Sequence, residues 1–371
     1  MIWLRTLAVA VAALSLTAPA ASAVPAEPSR ADEAQAILAR ILERDGTPGV
    51  MAAVYRNGEL IWSGATGLAD IENRAPLTPT TRMRIGSVSK PLTAVLALRL
   101  RDQGRLDLDA DVRALVTELP EPTDGIITAR RLAAHTAGVR QYDFRDIQDA
   151  NNFLYYPNLT AALARTVGDP LVSAPGAAHH YSSLGYNILG ILAERAAAAE
   201  FGELIGREVA APLGLENTMI DHPLAIISGR TRFYTRFPDG VVRNTIWRDS
   251  SDFYPSGGLL STAEDLARFG DAVFSGSWLS EASMRDVLTE ATTIAGEGVG
   301  YSFGWQIGRR ADGSIEWYGH GGETNGAYAS LRYYPDEKLT VAVITNANAM
   351  SYRPYFFEAA RTELPAVFGH R

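Results

Sequence analysis

Ser87 and Lys90 stand three residues apart in the stretch RIGSVSKPL, a spacing that puts two side chains on one face of a helical turn. A serine hydroxyl is a weak nucleophile and needs a base beside it. Lysine can be that base once burial has lowered its pKa from ~10.4, whereas an arginine guanidinium keeps its proton. The 34 Lys and Arg residues of the chain comprise 32 arginines and only two lysines. Arginine has been used almost everywhere that a bare positive charge suffices. The second lysine, Lys338, lies in the polar turn YPDEKL, where any cation would serve, so Lys90 reads as a base. Pro91 fits the first turn of a helix starting at about Gly86, because the N–H groups there lack intrahelical partners. Those same N–H groups suit an oxyanion developing beside Ser87.

Two further motifs carry chemistry: Tyr181 in PGAAHHYSSLGYNILG, and His320-Gly321-Gly322 in WYGHGGETNGAYASL, at the start of a predicted strand. With Ser87-Val88-Ser89-Lys90 they follow one another in an order and rough spacing that resembles the serine β-lactamase and penicillin-binding family, in particular its class C and DD-carboxypeptidase branch. LAAHTAGV, SGGLLSTAEDLARF and YSFGWQI add to the resemblance, which runs from about residue 35 to about residue 350.

The resemblance implies that Ser87 is the acylated nucleophile, Lys90 its proton partner and Tyr181 a general acid or base, with the work divided between the last two in a way the sequence leaves open. It implies an oxyanion hole from the backbone N–H groups of Ser87 and Glu323, and a substrate wall that includes Ser183, His320, Gly321 and Gly322. Two positions depart from the family pattern. Its Tyr-x-Asn is here Tyr181-Ser182-Ser183, and its Lys-Thr-Gly is here His320-Gly321-Gly322, which exchanges a permanent cation for a histidine expected to be partly charged at neutral pH. Both departures tilt the expected substrate from β-lactams toward D-amino-acid peptides or esters. The expectation is an exported serine hydrolase that cleaves an amide or ester through a Ser87 acyl-enzyme, with a small-molecule or peptide substrate and neither metal nor organic cofactor. The alternative is a non-catalytic penicillin-recognising or structural module; loss of Ser87, Lys90 or Tyr181 would favour it, and all three are present.

Other signals read as structural. GYSFG matches a nucleophile elbow around Ser302, yet that elbow joins a strand to a helix and Ser302 leads into a strand. DLDAD near Glu118 resembles a calcium loop, but Val112 occupies the position where the turn needs glycine. His179 and His180 have no third ligand at helical spacing. His135 reads as a hydrogen-bonded core residue, and the aromatic stretch YDFRDIQDANNFLYY either lines the cleft or packs it.

The elements that must position these groups follow from periodicity and turns. SRADEAQAILARILERDG is a helix capped by Ser29 and stopped at Gly46. GVMAAVYRNGELIWSGATG is a hairpin turning at Asn57-Gly58. Residues 91 to 240 are mostly helical in pattern, and strand signals return in YSFGWQIGRR, GSIEWYG, GAYASLRYY and KLTVAVITN before a terminal helix. The predicted fold is an α/β lobe (29–95 and 245–371) whose antiparallel sheet is formed from both chain ends and flanked by helices, with an inserted, mainly helical lobe (96–244), an arrangement of the β-lactamase/transpeptidase type. Arg5, the run LAVAVAALSL and Ala21-Ser22-Ala23 read as a cleavable secretory signal over residues 1–23, implying a periplasmic or secreted product. No later segment reaches the ~18 apolar residues of a membrane span. The formal net charge of −8, without a basic run, argues against nucleic acid as a partner. The absence of cysteine excludes disulfides.

Overall fold

A computed structural model describes residues 29–120, 125–165, 167–276, 278–350 and 354–369; the expected signal over 1–23 lies outside these residues. Ser29 caps helix α1 (Arg30–Asp45) by accepting from the Asp32 N–H, with Asp32 bonding back, and Gly46 ends it in the left-handed region. Strands β1 (Gly49–Arg56) and β2 (Glu59–Asp70) follow. They are joined by Asn57 and Gly58, both at positive φ, as a two-residue hairpin turn requires. Strand β3 (Ala75–Pro76) closes that edge.

The chain then leaves the sheet through helix α2 (Ser89–Asp102), α3 (Ser183–Ala197) and α4 (Ala263–Phe274). It returns as β4 (Gln306–Arg309), β5 (Ile315–Thr324), β6 (Ala327–Tyr334) and β7 (Leu339–Thr345). The seven strands lie in the order β3-β2-β1-β7-β6-β5-β4, every neighbouring pair antiparallel. The two chain ends meet at the centre, where Val50 pairs with Thr345 and Arg56 with Leu339.

Both faces of that central pair are covered, so both strands read as nearly unbroken apolar runs. Val50, Ala52, Val54, Val341 and Val343 pack under α1 and the helical turns at Phe356–Phe368. Met51, Ala53, Ala342 and Ile344 face a larger core that includes α2, α3 and α4. Thr262 caps α4 through the Asp265 N–H.

Two expectations need correction. The segment from 91 to 240 keeps α2, α3 and helical turns between Phe201 and Leu213, but much of 134–182 and 214–244 is loop with short strands at Met219–Ile220, Tyr234–Arg236 and Val242–Asn244. Pro157, Pro170 and Pro175 interrupt the helical periodicity, and Gly138, Gly168, Gly176, Gly214, Gly229 and Gly240 take positive φ, which ends helices. His320-Gly321-Gly322 lies in the second half of β5 rather than at the start of a strand. Its glycines continue the ladder, Gly321 opposite Ser330 and Gly322 opposite Ala329.

Candidate active site

Ser87 lies in a single 3-10 turn, Gly86–Val88, that runs straight into α2. That turn is held against β5 by close backbone contact. A β-carbon on Gly86, which has φ +50°, would stand 2.8 Å from the Glu323 carbonyl oxygen, and one on Gly322 would stand 2.1 Å from the carbonyl oxygen of Ile85. Glycine is required at both positions because no side chain fits between turn and strand. At Gly321 a β-carbon would meet nothing within 4 Å, because that position faces the open cleft.

Lys90 extends from the first turn of α2 and is fully buried. Its Nζ lies 3.0 Å from Ser87 Oγ, 3.2 Å from Ser183 Oγ and 2.8 Å from the Ser256 carbonyl oxygen. Among the described residues no carboxylate pairs with it, and desolvation pushes its pKa well below the ordinary lysine range. A neutral amine has two N–H donors and one lone pair. The Ser256 carbonyl and Ser183 hydroxyl take the donors, which leaves the lone pair for the Ser87 proton.

The Tyr181 phenol meets Ser87 through a side-chain hydrogen bond, and burial raises its pKa further above the ordinary range than that bond lowers it. Its ring lies over Lys90, 4.9 Å from Nζ to centroid, and against the His135 ring at 4.3 Å. His135 is buried, accepts the Ser182 N–H at 3.0 Å and is held neutral by burial and by Lys90 nearby. It backs the tyrosine.

His320 departs from the expectation of partial charge. It is 1% exposed, and burial followed by the proximity of Lys90 lowers its pKa to about 3. Nδ1 lies 2.6 Å from the Gly321 carbonyl and Nε2 2.7 Å from the Tyr301 hydroxyl. A carbonyl only accepts, so in the neutral ring Nδ1 carries the proton and Nε2 accepts from Tyr301. The strand offers Gly321, Gly322 and Glu323 to the cleft. The Glu323 carboxyl is bonded to Asn348 and Tyr328, and partial burial raises its pKa.

The cleft has a volume of about 700 Å³ and is lined by Ser87, Tyr181 and Ser183 together with residues that sequence reasoning missed. Gln141 is one: its Oε1 accepts the Ser183 N–H at 2.9 Å and its Nε2 reaches Ser183 Oγ at 3.3 Å. Ser256 is another, acting through a backbone carbonyl, although its motif SGGLLSTAEDLARF was visible. Arg248 is the third; with Arg165 it flanks the buried Asp252, at 3.7 and 3.0 Å. From the aromatic stretch, Tyr142 and Phe144 line the cleft. Ser302 is buried in a loop ahead of β4. Asp109 pairs with Arg130 at 2.8 Å and Asp111 pairs with Arg113, while Asp107 accepts the Asp109 N–H, so two of the three DLDAD carboxylates serve arginines and the third a turn.

A buried serine–lysine pair, a tyrosine on the same hydroxyl and a glycine-lined strand beside them form an arrangement suited to acyl transfer. Comparison with known proteins gives the family. The β-lactamase family model matches residues 34–360. The human mitochondrial serine β-lactamase-like protein LACTB is 30% identical over 331 residues, covering 70% of this chain and 60% of that protein. Esterase EstB of Burkholderia gladioli is 28% identical over 317 residues, covering 74% of this chain and 79% of the esterase. Among solved structures, that of SurE shares 28% identity at a TM-score of 0.74, covering 92% of this chain and 77% of that one. The chain spans about 60% of the length of its LACTB relatives. By the extent of the family match and the identity to LACTB, the chain belongs to the β-lactamase family.

Proposed function

We propose that the protein is an exported serine hydrolase that cleaves an ester or amide through an acyl-enzyme on Ser87. Lys90 Nζ takes the Ser87 proton as Oγ attacks the carbonyl carbon, and the backbone N–H groups of Ser87 and Glu323 receive the oxyanion. Collapse of the tetrahedral adduct breaks the bond to the alcohol or amine, which leaves with a proton from Tyr181 or the Lys90 ammonium. Water then attacks the acyl carbon, gives its proton to the same pair and frees Ser87. The single observation that carries this reading is the buried Lys90, free of any carboxylate partner among the described residues and 3.0 Å from Ser87 Oγ.

Lys90 is the better base of the two side chains. Burial drives its pKa down and the Tyr181 pKa up, so at neutral pH the phenol keeps its proton and suits the acid role. The reaction would take place in the cleft between the sheet lobe (29–95 and 245–371) and the helical lobe (96–244). His320 supplies no positive charge for a substrate carboxylate at the motif position, which favours esters and D-amino-acid peptides over β-lactams; the kinship with an esterase supports the same order.

The test is intact-protein mass spectrometry of the wild type and Ser87→Ala, each followed with a short-chain 4-nitrophenyl ester and a fluorescent penicillin. The expected result is ester turnover and a transient adduct in the wild type, both absent from the variant. Ester hydrolysis at the wild-type rate in Ser87→Ala would sink the assignment.

A further inference from the structure

Among the described residues that line the catalytic cleft, Glu323 is the only carboxylate and Arg248 the only arginine or lysine. Arg248 is buried, gives Nη1 to the Ala150 carbonyl and faces Asp252 at 3.7 Å, so its charge is matched behind the wall. Lys90 and His320 are driven toward their neutral forms by burial. The charge of Glu323 has no such match. Its side chain is exposed, and strand alternation puts it on the same face of β5 as Gly321, where an added β-carbon would meet nothing within 4 Å. Asn348 and Tyr328 hold the carboxyl. Both are neutral, and a carboxylate has about four acceptor sites. Among the described residues no lysine, arginine or histidine pairs with it.

The surroundings suit a cation. Tyr328 stands opposite Glu323 in the ladder between β5 and β6, and the Phe357 ring, which also lines the cleft, packs edge-on against Tyr328 at 5.2 Å. The carboxyl therefore lies beside aromatic rings, whose faces attract cations. It is also close to the reacting centre. The backbone of Glu323 comes within 2.8–2.9 Å of a β-carbon built on Gly86, the neighbour of Ser87, and its N–H receives the oxyanion in the proposed mechanism. A group held by this side chain is a few bonds from the carbonyl under attack.

We propose that Glu323 is a specificity-determining residue whose carboxylate receives an ammonium group on one arm of the ester or amide that Ser87 attacks. This rests on the acyl-transfer reading and narrows its substrate class to molecules with one positively charged arm. The formal net charge of −8 draws such substrates toward the protein, and Glu323 repels a substrate carboxylate from the same place.

The test measures kcat/KM on two matched pairs of chromogenic esters, one member of each ending in a primary ammonium group and the other in a hydroxyl. One pair carries that group on the acyl arm and the other on the alcohol arm. In one pair the wild type favours the charged member by roughly tenfold at low salt, chiefly through KM, and the preference shrinks at high salt. The ratio of charged to neutral ester is read within each variant, so any general loss of activity cancels. Glu323→Gln brings the ratio to within about twofold of parity, Glu323→Lys reverses it and Glu323→Asp keeps part of it. Equal rates within both pairs, a preference for the neutral members, or a preference for the charged one that survives Glu323→Gln would each overturn the assignment. The wild-type ratio and its salt dependence decide the matter even where a variant fails to fold. A wild type that turns over none of the four esters fails the acyl-transfer reading itself, and the role of Glu323 falls with it; turnover without preference fails the role of Glu323 alone.

Discussion

Gly322 lies directly beneath Ile85: a β-carbon on the glycine would come within 2.1 Å of the isoleucine carbonyl oxygen. The contact locks the Ser87 turn onto β5. Gly322→Ala must therefore push turn and strand apart, with an overpacking cost of about 1–3 kcal/mol. It is expected to lower kcat/KM at least about 100-fold, because small misplacements of a nucleophile are costly. Gly321→Ala, into open space, should leave the melting temperature within about a degree of the wild type. Thermal unfolding and ester kinetics on the two variants check the contrast, and equal stability losses would refute it.

Replacing Lys90 by arginine keeps the charge and removes the base. Lys90→Arg should lose at least about 10³-fold in kcat. In the wild type the active form is the unprotonated amine, so activity is present above the lowered Lys90 pKa and disappears as pH falls through it. The rising limb of the kcat/KM profile should lie well below the range of an ordinary lysine. A limb centred near 10 would contradict the buried-base assignment.

Ser183 and Gln141 hold Lys90 in place from the helical side. Ser183→Ala removes one of three contacts to Nζ and should cost roughly tenfold in kcat/KM, the value of about one hydrogen bond. Gln141→Ala frees the Ser183 hydroxyl and should cost less. Neither should shift the urea midpoint measurably.

The neutral state of His320 links stability to pH. Its folded pKa of about 3 lies below the ~6.5 of an unfolded chain. Below pH ~6.5 the unfolded state binds the proton and the folded state does not, so this stability is intact above ~6.5 and is lost progressively down to about pH 3. Between pH 6.5 and 5 the loss should be about 2 kcal/mol from this residue. Denaturant midpoints for the wild type and His320→Gln across that range test it: the variant should have the flatter slope.

Asp252 is the counter-ion of two guanidiniums, the buried Arg248 and the partly buried Arg165. Asp252→Asn leaves Arg165 and Arg248 without it and should destabilise the fold by about 3–5 kcal/mol. Chemical denaturation gives the value directly; a loss under about 1 kcal/mol would mean that the pairs are not energetically coupled.

Much of the fold was legible because local signals agreed with the global arrangement. Ser29, Gly46 and Asn57-Gly58 act where caps and turns were expected, and the apolar runs of β1 and β7 suit the covered centre of the sheet. The Ser87–Lys90 pair stood out because lysine is so scarce in this chain. The helical reading of 134–182 failed where prolines and positive-φ glycines outweighed periodicity. The rest of the site lies in tertiary placement. Ser256 contributes a backbone carbonyl, which carries no side-chain signature, and Gln141 comes from a loop with no periodicity. The charge of His320 depends on burial and on Lys90, which is 230 residues away in sequence but close in space.

The scarcity of lysine has a practical side. Lys90 is sealed in the core of the site, whereas Lys338 lies in the turn between β6 and β7, at the end of the sheet remote from Glu323. Along β6 from Tyr328, opposite Glu323, to Tyr334, opposite Leu339, the distance is roughly 20 Å at about 3.3 Å per residue. Apart from the amino terminus, amine-directed coupling to a solid support therefore has one accessible lysine, and attachment there leaves the mouth of the cleft facing solution.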